Sequence, residues 1–371
     1  MRVLMCNGAA RGGFVVYTGE LVDRLERIGI DVTVAAPLGL ARRAPSLPPT
    51  RWGDEVAGWS RPRLLATRLV ESASRTVAFV GAVRSVEPDV VHLQTPLTPR
   101  WDASLIAWTR RRAPVVVTVH NAVPHEEGRR DASEHRRWRA ADALVVHGEQ
   151  AEGTVRQVAP EAVVRVIPVD LLGHRPPVAK AEARARLRLG DDPAAVALGL
   201  VRPYKGFDLL AGAWPRVRAA VPTARLFVVG AAPRSFDALD ELCALPGVER
   251  RDGWIDDDEF EQWAAAADVA VLPYRHGVHS GVLHRAVSNG TPVLASPPLR
   301  EEVERYQAGR VVPLEVAEWA SALATALGGD PLPPPSPPPE SQARKHAELY
   351  RELLAARRPT AAAHEAMEVG G

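Results

Sequence analysis

Residues 269–296 read VAVLPYRHGVHSGVLHRAVSNGTPVLAS, and the order of signals within them decides the fold. Val269–Leu272 is a short apolar run, as expected of a strand buried on both faces of a parallel sheet. Pro273 ends it, and a loop from Tyr274 to His279 follows. Ser280 is a good N-cap for a helix beginning near Gly281, because its hydroxyl can accept from a first-turn N–H. Asn289 and Gly290 stop that helix, since both tolerate the left-handed conformation of a C-cap. Pro292–Ala295 opens the next strand. In an open α/β sheet, ligands bind where the loop after a parallel strand feeds a helix N-terminus. The N–H groups there favour an anion.

Outward from this segment the chain alternates strands and helices. Strands are expected at Arg2–Cys6, Asp31–Ala35, Val90–Leu93, Val115–Val119, Ala143–Val146 and Val164–Ile167. Helices are expected at Tyr17–Ile28, Leu64–Arg84, around Ala103–Arg111 and between the last two strands; residues 37–62 read as irregular. A second series starts with a polar linker and short helix over Pro176–Gly190. Strands at Ala195–Leu200, Leu226–Val229 and Val248–Asp252 then alternate with helices at Asp208–Ala219, Phe236–Leu242 and Asp258–Ala266. The opening segment follows, then Arg310–Pro313 and a helix around Ala317–Leu327. The reading is α/β, with two tandem Rossmann-like doubly wound domains facing across a cleft, over residues 1–172 and 173–330. Residues 331–339, PLPPPSPPP, form a polyproline spacer. Residues 340–371 are read as an amphipathic helix returning to the N-terminal domain, with Ala347, Tyr350, Leu353 and Leu354 on one side, plus a disordered tail.

Composition narrows the function. The 371 residues suffice for two domains. A hydrophobic fraction of 46% with 25% charged residues is ordinary for a soluble enzyme. A net charge of +1 gives no global signal for nucleic acid. Cys6 and Cys243 lie apart in apolar segments, which fits buried thiols in a reducing, cytoplasmic setting. No Cys or His cluster has metal-ligand spacing. MRVLMCNG reads as a first strand rather than a signal peptide, and no apolar run approaches the ~20 residues of a membrane span. The basic runs Arg110–Arg112 and Arg129–Arg139 read as a solvated helix face balanced by Glu126, Glu127, Asp131 and Glu134. The other reading is contact with an acidic acceptor or, peripherally, an anionic membrane.

Three motifs carry the chemistry. Gly199-Leu-Val-Arg-Pro-Tyr-Lys-Gly206 follows a strand and precedes a helix. Its Arg202 and Lys205 suit a diphosphate, Arg as a bidentate donor and Lys as a point charge. The alternative is a solvated basic turn. Gly12 and Gly13 follow the first strand and allow close backbone approach or a tight turn. With Gly8, their spacing is not the dinucleotide fingerprint. His120, at the carboxyl end of a valine-rich strand, can bond a sugar hydroxyl or assist at a reacting carbon. The alternative is a hydrogen-bonded core histidine.

These motifs resemble the GT-B glycosyltransferases, specifically the large retaining family four. The similarity is carried by GLVRPYKGFDLL (199–210), ADVAVLPY (267–274), SGVL (280–283) and NGTPVLAS (289–296), with PDVVHLQTP (88–96), VVVTVHN (115–121) and RVIP (165–168) in the same order. The resemblance implies a second domain that holds a nucleotide diphosphate sugar of UDP or GDP type. Lys205 would contact the diphosphate, with Arg202 shifted along the loop from the family's arginine position at Leu200. Ser280, Gly281, Val282 and Leu283 would meet the donor sugar or phosphate, and Gly253, Trp254 and Ile255 the base. His120 would lie near the donor sugar, and the first domain, with Gly13, would present a small-molecule, glycan or lipid-linked acceptor. Transfer would proceed with retention and without a metal or other cofactor, because the cationic loop neutralises the leaving diphosphate.

The departure lies inside the opening segment. The family carries two glutamates there, at the positions of Gly277 and Arg285 when aligned on NGTPV. Three readings follow. His279 and Ser280, with backbone amides, replace the sugar contacts. Or Arg285 faces outward while another group holds the ribose. Or the donor site is weakened and the chain is a non-catalytic pseudoenzyme or partner of a transferase. A sugar-nucleotide epimerase would require a pair of acid and base carboxylates in the cleft, and no such pair is evident. The retained Lys205, Arg202 and His120 favour an active transferase.

Overall fold

The computed structural model describes residues 1–10, 13–37, 39–44, 46–48, 59–98, 100–120, 122, 132–171, 177–232, 236–277 and 279–357. Gly12, part of the 129–139 basic run and the tail beyond 357 lie outside the described residues. The chain divides into two units. The first is built from Met1–Ala122, residues 132–170 and the stretch from Ser341; the second from Leu171–Glu340.

The first unit holds β1 (Arg2–Cys6), β2 (Asp31–Ala35), β3 (Val90–Leu93), β4 (Val115–Thr118), β5 (Ala143–Val146) and β6 (Val163–Val166) in one parallel sheet, ordered β2-β1-β3-β4-β5-β6. β3, β4 and β5 are buried throughout, which is why they read as unbroken apolar runs rather than alternating ones. Helices α1 (Gly13–Arg27), α2 (Arg61–Val86), α3 (Asp102–Thr109), α4 (Ala132–Ala140) and α5 (Glu149–Val158) connect them. α1 begins at Gly13, earlier than the periodicity from Tyr17 indicates. α4 falls within the run read as a solvated face, yet Trp138 and Arg137 are buried there. Arg137 lies 3.9 Å from the Asp102 carboxylate of α3.

The second unit holds α6 (Lys180–Arg186), β7 (Ala194–Leu198), α7 (Phe207–Ala220), β8 (Arg225–Val229), α8 (Asp237–Cys243), β9 (Val248–Arg251), α9 (Asp257–Ala266), β10 (Val269–Leu272), α10 (Gly281–Ser288), β11 (Val293–Ala295), α11 (Arg300–Arg305), β12 (Gly309–Val311) and α12 (Val316–Leu327). Its parallel strands run in the order β12-β11-β10-β7-β8-β9. Phe207, Trp214 and Trp319 belong to one core cluster, and Phe260, Trp263 and Tyr306 to another. Residues 331–339 have no regular structure, and Leu332 packs on the first of these clusters.

The last helix, α13 (Gln342–Arg357), belongs to the first unit. The Asp170 carboxylate accepts from the backbone N–H groups of Ser341 and Gln342 at 2.9 and 2.8 Å, satisfying donors the helix cannot pair itself. Tyr350 is fully buried and its hydroxyl lies 2.7 Å from His92 Nδ1.

The carboxyl ends of β7, β8 and β10 are pressed together through glycines. Gly230 has φ 134°, and a Cβ placed there would lie 2.2 Å from the Gly199 carbonyl oxygen. Gly206 has φ 72°, and its Cβ would lie 2.2 Å from the Pro273 carbonyl oxygen. Gly13 faces open space. Gly230→Ala is therefore expected to cost about 3 kcal/mol, from backbone strain plus displaced loops, and Gly13→Ala under about 0.5 kcal/mol. Urea denaturation of the two variants checks the contrast.

Candidate functional site

In the second sheet the chain order reverses between β7 and β10, the place where open α/β sheets take ligands. The loop after β7 supplies two cations. Arg202 is extended and partly exposed; Pro203–Lys205 then make a 3-10 turn closed by left-handed Gly206. That turn draws Lys205 inward. Its side chain is buried, Nζ donates to the Leu198 carbonyl at 2.8 Å, and it stands 5.4 Å from the centre of the Tyr274 ring. Burial, with the nearby Arg202 charge adding to it, lowers the amine from 10.5 to about 7. An anion brought beside it would restore the ammonium.

The loop after β10 is stapled to this one by the Arg275 N–H, which donates to the Tyr204 carbonyl at 2.8 Å. Arg275 also pairs with Asp208. Gly277 has φ 103°, so a glutamate in its place would be strained. Ser280 caps α10 as its sequence indicates, accepting from the Leu283 N–H at 3.3 Å. Val282 lies against Gly199, whose added Cβ would be 3.4 Å from a Val282 methyl. Leu283 is buried in the core. Gly281 is exposed, with open space around it.

A carboxylate that sequence reasoning missed completes this loop. Glu302 of α11 is buried; Oε1 accepts from His279 Nδ1 and His284 Nε2, both at 2.9 Å, and Oε2 from the Ser280 N–H at 3.0 Å. Burial alone would raise this acid, but His284 and His279 outweigh it and hold it at about 2. Nothing in the exposed-looking run REEVER (300–305) signals this. The contact crosses β11 and has no local period.

Arg285 turns onto α9. Its Nε donates to Glu261 at 2.6 Å, one terminal nitrogen to the Asp257 carboxylate and the other to the Asp257 carbonyl, both at 2.9 Å. The guanidinium also stands 3.8 Å from the Phe260 ring centre. The loop after β9 separates its two residues: Trp254 is 64% exposed, whereas Ile255 is a core anchor.

In the first unit, His120 follows the end of β4. Its Nδ1 lies 3.2 Å from His147 Nε2, and its Nε2 3.3 Å from Gln94 Oε1. His147 Nδ1 donates to the Ile167 carbonyl at 2.9 Å, which fixes that ring's proton. Phe14 and Tyr17 flank His120, with ring centres at 4.9 and 4.7 Å. The strand order reverses between β1 and β3, and the close backbone approach there occurs at Gly8 rather than Gly13. Gly8 N–H donates to Thr95 Oγ1 at 2.7 Å, and its added Cβ would meet the Pro96 carbonyl at 2.5 Å. Thus Lys205, Arg202, His279, Ser280, Gly281 and Val282 gather at one end of the second sheet, Leu283 and Arg285 turn from that end into the core and onto α9, and His120 and Gly13 belong to the other unit. Among the described residues there is no cluster of three metal-ligating side chains and no helix long and apolar enough to cross a membrane.

Comparison with known proteins gives the lineage. Residues 11–169 match the model described as Glycosyltransferase Family 4, and residues 192–328 match Glycosyl transferases group 1. The chain is 32% identical over 325 residues to D-inositol 3-phosphate glycosyltransferase of Xylanimonas cellulosilytica, covering 77% of this chain and 75% of that one. It is 29% identical over 312 residues to phosphatidyl-myo-inositol mannosyltransferase of Propionibacterium freudenreichii, covering 80% and 77%. Among solved structures, sucrose-phosphate synthase from Thermosynechococcus elongatus superimposes with a TM-score of 0.69 at 22% identity, covering 96% of this chain and 100% of that one. Two six-stranded parallel sheets with flanking helices, matched along their length to these enzymes, place the chain in glycosyltransferase family 4, and it is a glycosyltransferase of the GT-B fold.

Proposed function

We propose that the second unit binds a nucleoside diphosphate sugar of UDP or GDP type, and that the enzyme transfers its glycosyl group to an acceptor hydroxyl in the cytoplasm. Transfer retains the anomeric configuration and uses no divalent metal. One observation carries this reading: a buried amine poised at about 7 and a partly exposed guanidinium share one loop, beside the first turn of α10. That is a receptor for a leaving diphosphate. The two cations and the helix dipole supply the charge neutralisation a metal would otherwise provide. Trp254 offers an exposed indole to the base, with Ile255 fixing its loop.

His120 takes a sugar-hydroxyl role in the first unit, its ring oriented by His147 and Gln94. The names of two relatives, an inositol 3-phosphate glycosyltransferase and a phosphatidylinositol mannosyltransferase, support a polyol acceptor bearing phosphate, soluble or lipid-linked. Incubation with UDP- and GDP-sugars in the presence of chelator, with NMR assignment of the product anomer, tests donor, stereochemistry and metal use together. An inverted product would contradict retention, and activity abolished by chelator would contradict metal independence.

Lys205→Ala is expected to lower nucleoside diphosphate release by about 100-fold, the usual cost of removing one preorganised charge donor; a loss under about threefold would count against the diphosphate role. Stability gives an independent check. The amine titrates at about 7 in the folded enzyme against 10.5 when unperturbed, so between these values the unfolded chain binds the extra proton. The penalty of burying it is largest below pH 7 and is relieved as pH rises towards 10.5. Lys205→Met should stabilise the unliganded protein most near pH 6.5 and less at pH 9, as read by urea denaturation.

A further inference from the structure

We propose that Glu302 is the positioning residue of the donor loop, clamping the His279–Ser280 segment on one side and His284 of α10 on the other so that the Gly281 and Val282 amides are held for the hydroxyl groups of the donor's sugar. This rests on the donor reading above. The first-turn amides of α10 have only partly been used by the protein. The Ser280 N–H goes to Glu302 and the Leu283 N–H to Ser280 Oγ. His284 N–H begins the helix ladder on the Ser280 carbonyl. Gly281 and Val282 carry the remaining early donors, and the space above Gly281 is open.

The loop needs an external clamp. Gly277 sits in the left-handed region and leaves the backbone soft. Arg285 is engaged with Asp257 and Glu261 of α9. Glu302 meets the need from outside the loop, with one oxygen bridging two histidines from different segments and the other on the cap residue itself. A buried carboxylate at a helix N-terminus is favoured by the dipole, and its removal strands three donors at once. These contacts fall on the segment where the donor's sugar end would lie, and none of them reaches the loop that carries Lys205.

The consequence is a split in affinities. A clamp for the sugar end should matter for the intact donor and not for the bare nucleotide, whereas a general support would move both. Steady-state kinetics with UDP-glucose and GDP-mannose, alongside calorimetric affinities for UDP and GDP, read this for wild type, Glu302→Gln and Glu302→Asp. For Glu302→Gln we expect the KM of the used donor to rise about tenfold or more, with the Kd of its nucleoside diphosphate within about twofold of wild type. Glu302→Asp, which keeps the charge, should recover part of the loss. His284→Gln removes only the α10 arm and should act in the same direction to a smaller extent, so the test survives if Glu302→Gln does not fold. Parallel rises in KM and Kd, or no change in either, would overturn the positioning role. Failure of wild type to bind either diphosphate would instead sink the donor reading and this role with it.

Discussion

Everything at the carboxyl end of the second unit's sheet depends on backbone-to-backbone contact between the loops after β7, β8 and β10. Gly199, Gly206 and Gly230 take positive φ, and at the last two even a methyl would collide with a neighbouring carbonyl. Within this close packing Lys205 is 7% exposed. The lysine is turned under the Tyr274 ring and onto the Leu198 carbonyl, and its lowered basicity follows from that burial. A packing constraint thereby becomes an electrostatic property of the site.

The second consequence is that two ionisable groups of opposite temper serve this end of the sheet, Lys205 from the loop after β7 and Glu302 from α11. Lys205 lies poised near neutrality, while Glu302 is held ionised at about 2 by two histidines. One is a charge that a ligand would summon; the other is permanent and already spent on hydrogen bonds. Under the proposed reading, this division suits a transferase that must grip a leaving diphosphate tightly yet keep the segment beside it in one conformation. The first unit follows similar logic with neutral groups. His92 is fully buried, and burial, with His346 and His147 nearby, holds its ring well below the usual range. That neutral ring, hydrogen-bonded to Thr118 and Tyr350, joins α13 to the sheet.

Much of this was legible in the sequence. The valine-rich strands, the Ser280 cap and the two-cation loop announce themselves because burial on both faces, capping chemistry and strand-to-helix spacing leave local signatures. What escaped did so for physical reasons. The run containing α4 reads as a solvated helix face because Trp138 is its single large apolar residue, yet Arg137 is buried against Asp102. Lys205 is legible as a cation of the loop, but its burial against the Leu198 carbonyl and the Tyr274 ring is not, since nothing local brings those groups together. Glu302 is unreadable because its partners lie 18 to 23 positions away, across a strand. Near the first strand the tight backbone contact within the chain is at Gly8, where Pro96 approaches, a contact that no local pattern announces.

The central claim is that a diphosphate binds beside Lys205 and returns its proton. Titration calorimetry of UDP and GDP at pH 8, in two buffers of different ionisation enthalpy, measures this directly. With an amine at about 7 in the free enzyme, binding should take up about one proton, and Lys205→Met should abolish the uptake. Tight binding with no proton uptake, or uptake unchanged in the variant, would contradict the account.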